Sequence, residues 1–255
     1  MTPPVEDPGR ALASSEQPPA GDALEVAARP RNSLAREYLE SLLIALALAL
    51  VLRTFFIQAY MIPSGSMEPT LLVGDHILVS KMAYGVRLPD SIFGLQPVGL
   101  PLGRYLLHFG DIHRGDVIVF VHPQERDKDL IKRVIGLPGD KVQIKSGRVW
   151  LNGSPINDPH AHLDVPDGQR FEVPRDNFGF MDASGTIVGP LEVPVGRLFV
   201  MGDNRDHSED SRYWGFADQN VVEGRALVVY WSWDGDAGGL LPIRWSRFGT
   251  SLLGE

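Results

Sequence analysis

The sequence predicts a mainly β protein, with an antiparallel β-sheet core, an inserted smaller β lobe and one preceding N-terminal transmembrane helix. Three observations predict this fold class. Glycine and proline together make up 47 of the 255 residues, which is typical of a loop-rich β protein and not of a helical bundle. One apolar stretch near the N-terminus is long enough to cross a bilayer. The rest of the chain contains short runs of β-branched residues between turn residues.

Composition excludes several classes of function. The formal net charge of −8 leaves no basic surplus for phosphate groups, so no nucleic-acid partner is expected. The chain has no cysteine, which excludes disulfides, zinc–thiolate sites and a cysteine nucleophile. Its length is sufficient to bury a core in one domain or two.

The first 38 residues differ in composition from the rest. They are rich in Pro, Ala, Ser and Glu and contain few large aliphatic side chains. Such a segment cannot bury enough apolar area to offset its chain entropy. We therefore expect residues 1–38 to form a disordered tail.

The next segment is predicted to be a transmembrane helix over residues 39–60. The run from Ser41 to Ile62 is predominantly apolar, and about 20 such residues span the hydrocarbon core. Arg53 lies towards its far end, where its side chain can reach outward to the interface. A cleaved secretory signal would start nearer the N-terminus and end in small residues, and a buried core helix is the remaining alternative.

The orientation of this helix follows from the basic residues that flank it. Arg29, Arg31 and Arg36 precede the span, whereas the first basic residue after Arg53 is Lys81. Because basic residues are retained on the cytoplasmic side, the tail is expected to be cytoplasmic. Residues from about 61 onward are expected on the outer side.

The external part reads as β strands. The runs "HILVSK" (76–81), "DVIVFVHP" (116–123) and "LIKRVIGL" (130–137) are β-branched segments bounded by Gly, Asp and Pro. "RLFVMGD" and "RALVVYWSW" predict two more strands. In "KVQIKSGRVWLNG", alternating apolar residues surround a Ser-Gly turn, which predicts a hairpin.

The external part is divided into a core and a lobe. Residues 61–145 and 196–255 are predicted to form the β core. Residues 146–195 have fewer apolar runs and many turn residues, so we expect an inserted lobe there. Residues 91–109 are apolar yet rich in Gly and Pro, and they suit either a loop that covers the core or a surface that touches a membrane.

Two segments carry a possible nucleophile and base. Ser66 follows the apolar span in "MIPSGSMEPTL", and no histidine stands beside it. A serine needs a base, and a lysine can serve when burial lowers its pKa. Lys132 lies between apolar neighbours in "DLIKRVIGL". Lowering its pKa from about 10.4 to about 8 costs on the order of 3 kcal/mol. By spacing alone, Lys132 could equally point to solvent and Ser66 could be a turn residue.

A third segment, "MGDNRDHSEDSRYWGF" (201–216), combines charged and amide residues with an aromatic cluster. By itself it suits a solvated acidic loop, and it lacks the ligand spacing of a calcium loop. In order along the chain, "PSGSMEPTL", "GDVIVF", "IKRVIGLPGD" and "GDNRDHSEDSRYWGF" together resemble the bacterial type I signal peptidases, or leader peptidases. These are membrane-anchored serine proteases with a Ser/Lys dyad, and the resemblance covers residues 55–235.

The resemblance implies a role for each matching residue. Ser66 would be the nucleophile and Lys132 the general base. Ser64 would supply a hydroxyl to the oxyanion hole, and Ser208 would hold the lysine ammonium. The remaining matches would brace the site by ion pairs (Arg133, Asp203, Asp210, Arg212) or line small-residue pockets (Ile62, Met67, Leu71, Ile131).

Two departures from the family and one histidine group complete the site analysis. Several Gram-negative members have two membrane spans, whereas this sequence predicts one, and His207 stands where an Asn is common. "DPHAHLD" places His160 and His162 beside Asp158 and Asp164. This group could hold a metal, but surface loops of this composition are common, and neither a metal nor a cofactor is expected.

The predicted function is removal of N-terminal signal peptides from exported preproteins by a single-pass endopeptidase of the bacterial inner (plasma) membrane. Its expected partners are preproteins and the lipid bilayer, and the catalytic domain is expected on the outer (periplasmic) side. The alternatives are a related Ser/Lys peptidase dedicated to one exported substrate, such as a pilin or conjugation protein, and a non-enzymatic anchored β module. A non-enzymatic module would lack Ser66 or Lys132, and both residues are present.

Overall fold

The computed structural model describes residues 32–87, 105–145, 148–164, 190–235 and 242–253. The chain divides into two compact units, one that ends at Ala45 and one that begins at Leu46. The sequence prediction of a disordered tail concerns residues 1–38, of which 1–31 lie outside the described residues.

An apolar helix precedes the β structure. Helix α1 (Asn32–Val51) continues into a π-helical turn (Leu52–Phe56). Within the 23 residues Leu34–Phe56, the most apolar stretch of 18 residues has a mean hydropathy of 2.0, and none of that stretch is buried. At about 1.5 Å per residue this segment is longer than the roughly 30 Å hydrocarbon core. It is therefore long and apolar enough to cross a membrane.

The helix differs in its bounds from the predicted 39–60. It begins earlier, because residues 32–38 hold good helix formers and Arg36 Nε donates to Glu40 Oε1 one turn later at 2.7 Å. It ends earlier, because Ile57–Met61 form a strand that pairs with Asp75–Ser80. The continuous apolar run concealed this change from helix to strand, and strand pairing prevailed there over helix propensity.

The described residues contain thirteen strands, one further α-helix, α2 (Ser211–Trp214), and several short 3-10 turns. The strands are β1 (Ile57–Met61), β2 (Asp75–Ser80), β3 (Gly85–Arg87), β4 (Tyr105–His108), β5 (Val117–Val121), β6 (Asp129–Gly136), β7 (Lys141–Lys145), β8 (Arg148–Leu151), β9 (Ser154–Pro155), β10 (Leu191–Glu192), β11 (Arg197–Met201), β12 (Ala217–Asp218) and β13 (Val222–Ser232).

Seven strands form the main sheet, in the order β1-β2-β13-β5-β6-β11-β12. Every pairing in this sheet is antiparallel. The runs that predicted strands in the sequence coincide with β2, β5, β6, β11 and β13, so the mainly β fold class is confirmed.

A four-stranded sheet forms the smaller lobe, in the order β10-β7-β8-β9. The predicted hairpin is confirmed, because Val142 pairs with Leu151 and Ile144 with Val149. The lobe thus starts with β7, five residues before the predicted boundary at 146, because β7 pairs with β8. Both hairpin strands bury their apolar side chains in a cluster that also contains Ile135 of β6 and Phe199 and Met201 of β11. Residues 165–189 of the predicted lobe lie outside the described residues.

A third, two-stranded sheet pairs β3 with β4. β4 lies in the apolar segment 91–109, for which the sequence left two interpretations open, and residues 91–104 lie outside the described residues.

The buried central strands of the main sheet explain the position of Lys132. β5 is buried on both faces from Val117 to Phe120, as expected of a central strand with a continuous apolar run. β6 pairs with β5 so that Ile118 faces Lys132 across the ladder. The lysine is thereby carried into the interior by one of the most buried strands.

Candidate active site

The turn between β1 and β2 holds Ser66. It is a 3-10 turn, Gly65–Met67, preceded by Ser64 in an extended conformation. Ser66 and Met67 are buried, whereas Ser64 is exposed. Leu71 N–H donates to Met67 O at 2.9 Å and continues the turn. The polypeptide therefore presents two neighbouring serines, one inside and one facing outward.

Lys132 meets Ser66 in the interior. Lys132 Nζ donates to Ser66 Oγ at 2.7 Å, and 66 residues separate the two in sequence. Only 3% of the lysine and 8% of the serine are exposed. The contact joins the turn after β1 to β6, so the pairing of distant strands builds it.

Burial changes the chemistry of the lysine. It lowers the pKa of Lys132 from 10.5 to about 8, because the charged ammonium loses its hydration. The Asp210 carboxylate opposes this shift, and the Arg212 guanidinium reinforces it. A substantial neutral fraction is thus available at mildly alkaline pH, as a general base requires.

An ion pair braces the strand that carries the lysine. Arg133 donates twice to Asp203, from Nε to Oδ1 at 2.8 Å and from Nη2 to Oδ2 at 2.7 Å, and Arg133 Nη1 donates to Gly115 O at 2.8 Å. Both partners are buried. The two-point contact fixes the loop after β11 against β6.

A second buried ion pair closes the same loop. Arg212 Nε donates to Asp210 Oδ1 at 2.8 Å, and Gly202 N–H donates to Asp210 Oδ2 at 3.0 Å. Arg212 Nη2 also donates to Arg205 O at 2.7 Å. The four predicted bracing residues therefore lie in two pairs, on either side of the loop that faces the dyad.

Ser208 is placed beside the turn but does not make its predicted contact. Its hydroxyl is buried and has no hydrogen-bond partner among the described residues. A Cβ on Gly202 would lie only 2.3 Å from Ser208 Oγ and 2.3 Å from Ser66 O. The absence of a side chain at Gly202 is thus what allows the two serines to approach.

The four residues predicted to line apolar pockets lie together. Ile62, Met67 and Leu71 belong to one buried core cluster, against which Ile131 packs. They surround the Ser66 turn on its apolar side, and each of the first three is at most 2% exposed.

Asn204 is a residue whose role the sequence analysis did not assign. Its backbone N–H donates to Ser66 O at 3.1 Å, and its side-chain Nδ2 donates to Gly65 O at 3.2 Å. Asn204 thus holds the Ser66 turn from across 139 residues of sequence. Together with Gly202, it stands inside the quoted "GDNRD" string, so the motif contained the signal although its contacts could not be read from spacing.

The histidine group of "DPHAHLD" does not assemble as a metal site. Asp158 forms an ion pair with Arg205, and His162 and Asp164 lie near His207 instead. Over the part of the chain that the structure describes, no three His, Asp or Glu side chains are placed to hold a metal ion.

Comparisons with known proteins point to one family. The family model described as signal peptidase, peptidase S26, matches residues 35–231. The chain is 38% identical over 241 residues to signal peptidase I of Pseudomonas aeruginosa, covering 86% of this chain and 80% of that protein. It is 36% identical over 233 residues to signal peptidase I of Pseudomonas fluorescens, covering 83% and 78%. A crystal structure of a signal peptidase I from Enterococcus faecalis is 29% identical, with a TM-score of 0.35 over 46% of this chain and 97% of that one.

Proposed function

The chain belongs to the signal peptidase family, peptidase S26, and we propose that Ser66 and Lys132 carry its catalysis. As a member, it is a serine hydrolase that removes signal peptides from exported proteins. The observation that supports the assignment of residues is the 2.7 Å hydrogen bond between Lys132 Nζ and Ser66 Oγ in a buried setting.

The proposed mechanism follows from this pair. Neutral Lys132 accepts the Ser66 proton as Oγ attacks the carbonyl carbon of the scissile bond. Lys132 then gives that proton to the leaving amine, and an ester joins Ser66 to the signal peptide. A water molecule, deprotonated by Lys132, hydrolyses the ester and restores Ser66.

The oxyanion formed in each step needs donors. We assign the Ser64 hydroxyl and the Ser66 backbone N–H to this role. Ser64 is exposed at the mouth of the site and makes no capping hydrogen bond of its own to the turn. Its hydroxyl is therefore available for a substrate oxygen, where a positioned donor stabilises developing charge.

The proposed specificity uses the apolar side of the turn. Ile62, Met67, Leu71 and Ile131 would contact the residues before the cut. Because Ile62, Met67 and Leu71 are at most 2% exposed, the substrate side chains that contact this cluster are expected to be small groups such as the alanine methyl. An extended substrate would pair with a free strand edge near Ser66, and β1 is an outermost strand of the main sheet.

Anchoring at a membrane fits this substrate class, and Leu34–Phe56 is the anchor that the chain offers. We propose that the tail lies in the cytoplasm and the β structure on the outer side of the bacterial plasma membrane. The arginine residues before the helix support this orientation. Signal peptides reach that side with their apolar segment still in the bilayer.

The proposal is tested by cleavage of a synthetic precursor peptide with an Ala-x-Ala site in detergent micelles. Wild-type protein is expected to cut after the second alanine, and Ser66→Ala protein is expected to be inactive. Cleavage by Ser66→Ala at the wild-type rate would overturn the assignment of the nucleophile. Depletion of the enzyme in its host, with bulk preprotein accumulation as readout, separates a general peptidase from one dedicated to a single substrate.

A further inference from the structure

A cavity lined mostly by polar and charged residues opens beside Ser66. It has a volume of about 480 Å³, and both Ser64 and Ser66 line it. Its opposite wall carries the side chains of His162, Asp164 and His207, and Glu68 lines it next to the serines. Neither of the two histidines nor Asp164 or Glu68 has a role in the proposed catalysis.

The cavity is separate from the apolar residues that would contact the signal peptide. Ile62, Met67, Leu71 and Ile131 pack in the core cluster and do not line it. A substrate whose scissile bond lies at Ser66 extends in two directions from that point. If its apolar residues before the cut take the apolar side of the turn, the residues after the cut are left to the polar side.

Backbone hydrogen bonds hold the segment around His162, which forms the far wall of the cavity. His162 N–H donates to Asp203 O at 2.7 Å, and Arg205 N–H donates to His162 O at 2.9 Å. An ion pair between the buried Arg205 and the partly exposed Asp158 fixes the start of the same segment. The wall therefore keeps a fixed place relative to Ser66, because Asp203 and Asn204 belong to the loop that holds the nucleophile turn.

The charge of the wall is negative when histidine is counted as neutral. Asp164 and Glu68 each contribute a carboxylate, and Asp206 Oδ2 accepts from Asp164 N–H at 2.8 Å behind the wall. The two histidines lie against Asp164, with His207 Nδ1 at 3.1 Å from Oδ2 and His162 Nε2 at 3.4 Å from Oδ1. Asp164 remains 47% exposed, so a ligand in the cavity can reach it.

We propose that this cavity receives the first residues of the mature protein, directly after the cut, and favours a basic side chain there over an acidic one. The inference rests on the proposed function, since it assigns a substrate class to the same site. Carboxylates attract a lysine or arginine side chain and repel a glutamate or aspartate. A contact between charges that are this exposed changes binding a few-fold. The free energies of attracting a basic side chain and of repelling an acidic one add over the two carboxylates, which gives a preference of about tenfold.

The test uses three precursor peptides that differ only at the second residue after the cut, with Lys, Gln or Glu there. Wild-type enzyme is expected to give kcat/KM values in the order Lys, Gln, Glu, with about tenfold between Lys and Glu at low salt. The ratio is expected to shrink as salt is raised, because screening weakens exposed charges. The same measurements are made on Asp164→Asn, Glu68→Gln and the double variant, with Glu192→Gln on β10 as a matched control.

The outcomes separate this inference from the proposed function. The double variant is expected to cleave the three peptides at rates within about twofold of each other, while Glu192→Gln keeps the wild-type ratio. A wild-type enzyme that cleaves all three peptides equally, or prefers Glu, would overturn the inference and leave the Ser66–Lys132 mechanism intact. An equal loss on all three peptides in the double variant, with the ratio unchanged, would also overturn it, because that is the result of a purely structural role. Absence of any cleavage by wild-type protein would instead count against the proposed function.

Discussion

Lys132 shows how a single buried residue can determine the conditions under which an enzyme works. In the proposed mechanism the lysine must be neutral to accept the Ser66 proton, and burial lowers its pKa to about 8. Activity is therefore expected to rise with pH up to and through about 8 and then level off, and not to rise near the ordinary histidine range of about 6.5. A pH profile of kcat/KM checks this.

Lys132→Arg is expected to be inactive, because a guanidinium keeps its proton at accessible pH. Near-normal activity in Lys132→Arg would eliminate the dyad.

The same residue is expected to lower stability. Its pKa falls from 10.5 in water to about 8 in the folded state, so the unfolded chain binds more protons between these values. The penalty is complete below about pH 8 and disappears above about 10.5. Lys132→Met is therefore expected to raise the free energy of unfolding at pH 7 by about 3 kcal/mol, and by much less at pH 10.5. Equal unfolding curves for the two proteins at pH 7 would contradict the burial cost.

Ser64 is expected to act on turnover rather than on substrate binding. Loss of a donor to the oxyanion typically costs roughly 2.7–4 kcal/mol of transition-state stabilisation. Ser64→Ala is therefore expected to lower kcat by two to three orders of magnitude with KM little changed, and Ser64→Thr, which keeps a hydroxyl, is expected to lose less. If both variants lose equally while folding normally, packing and not oxyanion donation accounts for the residue.

Gly202 is expected to tolerate no side chain. A Cβ there would lie 2.3 Å from both Ser208 Oγ and Ser66 O, so Gly202→Ala must displace the nucleophile turn. We expect kcat to fall by about 100-fold, since small misplacements of reacting groups have effects of that size. Gly235→Ala is the control, because no atom of the described residues lies within 4 Å of its Cβ position. Equal kcat values for the two variants would show that the turn accommodates the extra carbon.

Individual site residues also differ in how far the sequence could predict their roles. Ser66 and Lys132 were recognisable because a buried lysine and a serine without a histidine suggest one chemistry, and the motif order suggested the family. The hydrogen bonds from Asn204 to the Ser66 turn and the close approach of that turn to Gly202 could not be predicted, because both join segments far apart in sequence. Likewise, the position of His162 beside the site follows from its pairing with the loop after β11, which no local pattern reveals.

The loop after β11 is the element on which the site depends. It carries Asp203, Asn204, Ser208 and Asp210, and the ion pair from Arg133 to Asp203 ties it to β6. Removing one partner of a buried ion pair leaves the other charge uncompensated, which costs about 3–5 kcal/mol. Asp203→Ala is thus expected to destabilise the protein by that amount in denaturant unfolding. Glu125→Ala removes an exposed pair with Lys128 and is expected to leave the free energy of unfolding nearly unchanged. Similar losses in the two variants would contradict the bracing role.

Elements were predicted well where periodicity was local and poorly where pairing decided the outcome. The central strands and the β7–β8 hairpin followed from β-branched runs and alternation. The sequence predicts that most of β1 belongs to the membrane helix (39–60), because Ile57–Met61 directly follows the apolar run. Only its ladder with β2 distinguishes it, and the partner strand comes after a turn that the apolar pattern does not show.

At the scale of the whole molecule, the described residues contain one helix apolar enough to cross a membrane, followed along the chain by the β structure with its catalytic candidates. A reporter fused after Glu255 is expected to be active outside the cytoplasm, because the arginine residues before the helix are expected to keep the N-terminus in the cytoplasm. Protease added to spheroplasts is expected to digest the β structure and spare the tail. Cytoplasmic activity of the C-terminal reporter would reverse the proposed orientation.

The short connection from the apolar helix to the nucleophile has a geometric consequence. The π-helical turn ends at Phe56, and Ser66 follows ten residues later through β1. Ten residues reach at most about 36 Å even when fully extended, and a strand followed by a 3-10 turn spans less. With the helix in a membrane as proposed, Ser66 therefore lies within about 36 Å of the end of that helix. A cleavable peptide bond is then expected to be selected by its distance from the bilayer as well as by its neighbouring side chains.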